Sequence, residues 1–368
     1  MATKKKFSAA LTVFLAIVFL AIGCAVGVIG AALYDAARFE SDEKPHTLVE
    51  GELQIHFLEL GNKYTGDCTY IKAGDTDILI DAGSRTSSIA TISAYINDYV
   101  TDGKLEYVIV THAHQDHYAG FTQREGSIFD LYECEVIIDF AKTNQEDTGS
   151  NMYSRYLAER ADEIEAGATH YAADTLFDTE GENVFSLDAG VTMTVLNSHY
   201  YYNEAGSEND YSVCTLFTYG DYNYLFTGDL EEEGEEHLVA MNDLPEVTLY
   251  KAGHHGSKTS SSAALLEVIK PEVVCVCCCA DSPEYTKTEA NQFPTQAFVD
   301  RVSLYTDKVY VTSLCLDYEA GTFAPMNGNI TVVTDKSGYR VLCGSGDDRV
   351  LKEWEWFREK RQMPENWK

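Results

Sequence analysis

The run Thr111-His112-Ala113-His114-Gln115-Asp116-His117 places four metal-ligand side chains within six residues. Imidazoles and a carboxylate at this density repel and desolvate one another unless a cation neutralises them. Mixed nitrogen and oxygen donors suit zinc first, with manganese or iron as alternatives. Thr227-Gly228-Asp229 and Gly253-His254-His255-Gly256-Ser257 add a second carboxylate and a His pair. Alone, a Gly-Asp reads as a turn and paired histidines read as surface. Three such clusters, each following an apolar β-like run, point to one metal site where several strand ends meet. A bound metal lowers the pKa of water from 15.7 to about 7, and two metals about 3.5–4 Å apart suit in-line attack on a phosphodiester.

The elements that must position these residues follow from the apolar periodicity. Strands are expected at Leu53–Leu60, Cys68–Lys72, Ile78–Ile80, Tyr107–Val110, Val136–Asp139, Val191–Leu196, Ser212–Tyr219, Tyr222–Phe226, Val247–Tyr250 and Val273–Cys278. Helices are expected at Ser87–Tyr99, Tyr153–Ala166, Glu232–Met241, Ser261–Ile269 and Thr295–Tyr305. Val309–Thr312, Ile330–Val333 and Tyr339–Cys343 read as closing strands. Hairpins mixed with crossover helices imply two sheets with helices on their outer faces. Gln123 to Glu180 is acidic and weakly periodic, which reads as a lid or periphery. The domain layout is then an anchor and stub over 1–34, a linker over 35–52, a hydrolase-like domain over 53–346 and a helical tail over 347–368. The tail aromatics Trp354, Trp356 and Phe357 are expected to pack on the domain.

Lys+Arg is 27 and Asp+Glu is 59, a net charge of −32 in 368 residues. Such a balance favours solubility and disfavours non-specific binding to polyanions. At the N-terminus, Lys4, Lys5 and Lys6 precede an uncharged run from Ser8 to Leu33. A spanning helix needs about 20 apolar residues, so the run reads as a single-pass membrane anchor. The Lys cluster then stays in the cytoplasm and the domain lies outside the cell. A lipoprotein signal ending at Cys24 is the competing reading. Cys275, Cys277, Cys278 and Cys279 fall in an apolar run that reads as a buried strand, where they act as small hydrophobes. The pair Cys275/Cys278 has no second pair at zinc-ribbon spacing.

Taken with Ile80-Asp81-Ala82-Gly83, these motifs resemble the metallo-β-lactamase superfamily. Their order is similar to the extracellular hydrolase domain of ComEC-type competence proteins. His56 to Gly61, Glu208 to Ser212 and Ser257 to Ser260 support the likeness, which extends from Leu53 to about Gly338. It does not extend to a multi-span membrane channel. The resemblance implies an α/β fold, the αββα sandwich, with two divalent ions at one edge of the sheets. By position, His112 and His114 hold one metal, and Asp116 and His117 hold the second. Asp229 bridges the two. One of His254 and His255 completes the second site and the other meets the leaving group; the catalytic assignments are Asp116 and His254, with His255 as ligand. Asp81 is expected to orient the metal loop, and Glu231 and Ser257 to contact it or the substrate. The Gly-His-Pro element of the family is replaced by Gln292-Phe293-Pro294. His170 and His199 are the candidates for a ligand the family supplies between the first cluster and the Asp.

The expected activity is metal-dependent hydrolysis by a metal-bound hydroxide, with a phosphodiester as substrate. Nucleic acid is what the resemblance implies, whereas the acidic balance favours smaller or cell-envelope phosphodiesters. The alternatives are a lactonase or β-lactamase-like amide hydrolase, and a non-catalytic, metal-stabilised surface binding protein. The membrane is the one partner the sequence indicates, through the N-terminal helix.

Overall fold

The structure, a computed structural model, describes residues 53–368. The anchor, the linker and Cys24 lie outside the described residues. Among those described, no helix is long and apolar enough to cross a membrane.

Two eight-stranded sheets make up the domain. Edge to edge, the first runs β16 (Gly338–Cys343), β15 (Ile330–Asp335), β1 (Leu53–Phe57), β2 (Thr69–Ala73), β3 (Thr76–Ile80), β4 (Lys104–Val110), β5 (Glu133–Asp139) and β6 (Thr169–Ala172). The second runs β14 (Thr322–Pro325), β13 (Val309–Asp317), β12 (Val273–Ala280), β11 (Leu249–Lys251), β10 (Tyr222–Phe226), β9 (Thr215–Tyr219), β8 (Thr192–Val195) and β7 (Val184–Ser186).

In each sheet three consecutive pairings are parallel: β3 to β6, out to the edge, in the first and β10 to β13 in the second. Parallel neighbours need crossovers, usually helical. These include α1 (Ser88–Ile96), the short α2 (Gln115–Tyr118) and α3 (Ile128–Leu131), and α4 (Met152–Ala166) in the first sheet. In the second they are α5 (Glu232–Met241), α6 (Ala263–Ile269) and α7 (Gln296–Val302). Their starts are specified locally, since Asn151, Ser262 and Thr295 accept bonds from the amides three residues on.

The period of two along a strand sorts side chains between two cores. Tyr224 and Phe226 join the core that β1, β3 and β4 share, whereas Leu225 joins the core under α6 and α7. Along β12, Cys275 and Cys277 enter the first core and Val274, Val276 and Cys278 the second. Both faces of this strand are covered, which explains its unbroken apolar run. Cys275 and Cys278 therefore point into different cores, and every described cysteine is unpaired.

Several expectations need correction. The expected strands Leu53–Leu60 and Ser212–Tyr219 are each three residues shorter, at Leu53–Phe57 and Thr215–Tyr219. The segment 123–180 is built into the first sheet, because β5 buries Ile137 and Ile138 and β6 forms its edge. Exposed acids such as Glu133 and Glu135 of β5 and Glu165 of α4 give the segment its peripheral look in sequence. The strand near Val247 begins two residues later, at Leu249, and includes Lys251. In the tail, α8 (Glu355–Lys360) seats Trp356 and Phe357, with Trp367 beyond it, in the second core.

Candidate metal centre

Four loops leave the C-terminal ends of parallel strands and meet at one edge of the sandwich. Residues 81–83 follow β3 and 111–117 follow β4; residues 227–229 follow β10 and 252–257 follow β11. Open α/β sheets place ligand sites at this end of their strands. Close approach of the loops constrains their glycines. Gly228 has φ +53, and a Cβ there would lie 2.7 Å from Ser212 Oγ.

His117 is buried and held from behind. Asp81 accepts from the Thr111 amide (2.8 Å), from Thr111 Oγ1 (2.8 Å) and from His117 Nδ1 (2.7 Å). That bond fixes the tautomer and turns Nε2 toward Asp229 Oδ2, 3.1 Å away. His255 is arranged alike. Its Nδ1 lies 2.9 Å from the Cys277 carbonyl, and its Nε2 faces Asp229 Oδ2 at 3.2 Å and Asp116 Oδ2 at 3.3 Å. His112 Nε2 lies 3.0 Å from His114 Nδ1 at the other end of the group. Glu208 steadies that end by accepting from the Ala113 and Asn144 amides and from Thr143 Oγ1.

These distances test the fit of a cation. Ligand atoms about 2.0–2.1 Å from a tetrahedral zinc are separated by roughly 3.3 Å. The 3.1–3.3 Å separations among Asp116, His117, Asp229 and His255 match that edge length. His117 Nε2, His255 Nε2 and Asp229 Oδ1 are buried, and their charged contacts lack hydrogen-bond geometry. The donor set fits a divalent cation.

Asp67, which the sequence reading passed over, belongs to this group. Its ligand atom lies within 4.8 Å of those of His117, Asp229 and His255. Its Oδ1 is 3.2 Å from His255 Nδ1, and its Oδ2 is paired with the ammonium of Lys251. Lys251 is 3% exposed, and its Nζ also lies 3.9 Å from Asp229 Oδ1.

Burial works against ionisation of Asp67, Asp116 and Asp229. Lys251 beside the first, His255 beside the second and His117 beside the third outweigh it, so all three lie below the usual carboxylate range. Burial likewise opposes charging of His117 and His255, but Asp229 and its neighbours hold both well above the usual imidazole range. His112 is held well below that range, by burial first and then by His117. The carboxylates thus draw positive charge, and a divalent cation meets that demand with the rings neutral.

The remaining expected residues take distinct places. His254 turns away from the cluster, with Nδ1 3.1 Å from Thr259 Oγ1 and 3.4 Å from Glu231 Oε1. Glu231 also accepts from Asn209 and Thr259. Ser257 closes the turn by accepting from the Thr259 amide. His170 bonds to Asp139 (2.7 Å) and His199 stacks on His237 (4.2 Å). Neither contacts the cluster among the described residues. Phe293, standing where a His was expected, packs on His254, His255 and Tyr285. Tyr285 donates to Asp116 Oδ2 across the mouth of the site (2.7 Å).

Residues 61–185 match the sequence model of the Metallo-beta-lactamase superfamily. ComE operon protein 3 of Bacillus subtilis is 26% identical over 180 residues, 47% of this chain and 20% of that protein. Recombination protein 2 of Haemophilus influenzae is 28% identical over 125 residues, 34% of this chain and 14% of that protein. Competence protein ComA of Neisseria gonorrhoeae is 38% identical over 93 residues, 24% of this chain and 12% of that protein. The chain thus spans a fifth or less of these relatives. Among solved structures, the metallo-beta-lactamase fold protein YhfI of Bacillus subtilis matches with TM-score 0.42 and 12% identity, over 74% of this chain and 99% of that one. The short form of human tRNase Z matches with TM-score 0.38 and 13% identity, over 72% and 94%. A third of the chain thus matches the Metallo-beta-lactamase superfamily model, and the proteins it resembles in sequence include a ComE operon protein, a recombination protein and a competence protein.

Proposed function

We propose that this protein is a metal-dependent phosphodiesterase. The observation that carries the reading is the donor set of Asp116, His117, Asp229 and His255, spaced as a cation's ligands and backed by Asp81 and the Cys277 carbonyl. A divalent cation bound there supplies a hydroxide nucleophile at neutral pH and neutralises charge on a phosphoryl oxygen. His112 and His114, whose rings meet at the other end of the group, would hold a second cation and add to the neutralisation of the phosphoryl group. His254 sits half-buried at the rim beside Glu231 and Thr259. Its Nδ1 is turned to those oxygens, which leaves Nε2 to meet the leaving group. Phe293 and Tyr285 wall the mouth and limit water there.

Two considerations bear on the substrate. Relatives named for competence and recombination support a nucleic acid, whereas the net charge of −32 supports a smaller or cell-envelope phosphodiester. The uncharged run from Ser8 to Leu33 supports a membrane-anchored protein with its site outside the cell. Bound metal per chain and bis(p-nitrophenyl) phosphate turnover, each measured before and after chelation, test the reading. Chelator-sensitive turnover that is lost in His114→Ala and Asp116→Ala variants of unchanged circular dichroism is the expected result. A metal-loaded protein that leaves this substrate and oligonucleotides uncleaved refutes it.

A further inference from the structure

The buried ammonium of Lys251 has no part in the ligand scheme above, although it lies inside the cluster. It contacts Asp67, lies 3.3 Å from the Gly228 carbonyl and 3.2 Å from that of Ala252, and is 3.9 Å from Asp229 Oδ1. Each of these contacts is to an oxygen acceptor. Such a site suits a cation, and this chain fills it with one of its own.

Asp67 is tied just as firmly by its backbone. Its amide donates to the Asp116 carbonyl (3.0 Å), and its carbonyl accepts from Gly83 (2.7 Å). The backbone is thus anchored beside the cluster, and the residue is 1% exposed there. Its carboxylate must be met there by Lys251, by His255, by a metal, or by some combination of these. A buried carboxylate with no counter-charge is strongly unfavourable, and breaking such a pair by removing one partner is costly.

We propose that Lys251 is a built-in cation that competes with the metal for Asp67, keeping the metal-free centre folded while withholding one carboxylate from the ion. The proposal rests on the cluster being a cation site. It assigns Lys251 a positioning role, and it makes metal loading reversible, because the domain holds together without the ion.

The test uses the full chain with Lys251→Met, Asp67→Asn and the double variant. Two quantities are read: the melting temperature in chelator, and the affinity for Zn²⁺ by titration calorimetry. In chelator each single variant should melt lower by roughly 5 °C or more, and the double variant should recover most of that loss. Lys251→Met should bind Zn²⁺ about 10- to 100-fold more tightly than the native protein, the size of effect that outer partners of metal ligands produce. The double variant should lose that gain. Lys251→Met with unchanged or weaker Zn²⁺ binding overturns the proposal, as does a double variant no more stable than the singles. Should Lys251→Met fail to fold, the double variant still decides: recovery of a folded protein supports the pairing, and failure overturns it. A native protein that binds no Zn²⁺ sinks the metal reading itself, while the melting series still reports on the ion pair.

Discussion

Asp81 offers the sharpest test of how the centre is held. It is 1% exposed and accepts three bonds, from the Thr111 amide, Thr111 Oγ1 and His117 Nδ1. Asp81→Asn preserves the shape but brings two donor hydrogens. If the amide oxygen stays on His117, the new NH₂ faces the Thr111 amide, donor against donor. If the amide turns over, the NH₂ faces His117 Nδ1 and favours the tautomer that carries its proton on Nε2. A ring protonated there presents no lone pair to a metal. Either way at least one charge-assisted bond of about 1.5–3 kcal/mol is lost. Zinc affinity should fall about 10- to 100-fold, or roughly 1.4–2.7 kcal/mol. Titration calorimetry after chelation measures this directly, with circular dichroism as the folding control. An Asp81→Asn variant that binds zinc within about twofold of the native protein refutes the orienting role, since that result lies far below the span predicted.

Two further outcomes follow from the packing. Burial raises the carboxyl of Glu235 to about 7, although it accepts the Ser261 and Ser262 amides. Its neutral form is favoured in the folded state, so its contribution is fully present below about pH 4.5 and lost as pH rises through 7. That interval corresponds to about 3 kcal/mol at 1.36 kcal/mol per pH unit. Between pH 5 and 8, denaturant unfolding of Glu235→Gln should be flatter than that of the native chain by about this amount; parallel profiles contradict the assignment. Leu266 of α6 is fully buried in the second core, and Leu266→Ala should cost about 2–5 kcal/mol in the same assay. A cost under about 1 kcal/mol means that the core closes over the gap.

The expected sheets and most crossover helices were legible because their apolar periods are clean. The turn between β2 and β3 fell at Gly74-Asp75 as the punctuation indicates. β6, β7 and β14 were not legible, being short edge strands whose residues are mostly half-exposed or exposed. At the site, the three motifs singled out His112, His114, Asp116, His117, Asp229 and His255 because candidate ligands cluster in sequence there, and the structure groups His117, Asp229 and His255 among them. The choice between His254 and His255 was not readable, since adjacent residues differ only in which way the turn aims them. Asp67 was missed because it stands alone in a loop almost fifty residues before the His run. One signal pointed to it: Lys251 sits among apolar neighbours just before Gly253-His254-His255, and a lysine buried in a strand calls for a carboxylate elsewhere.

The four loops that meet at the centre come from two different sheets. The backbone crosses from the first sheet to the second between β6 and β7, and elsewhere between the sheets lies an apolar seam in which Phe57 of β1 stacks on Phe226 of β10 at 6.1 Å. An ion held by His117 from one sheet and by Asp229 and His255 from the other would act as a clasp across that seam. Its grip would depend on how the halves are shimmed by side chains well away from the chemistry. Thinning the seam, for instance at Phe226, should loosen the clasp as well as the fold, and loading the clasp should slow amide exchange in both sheets together.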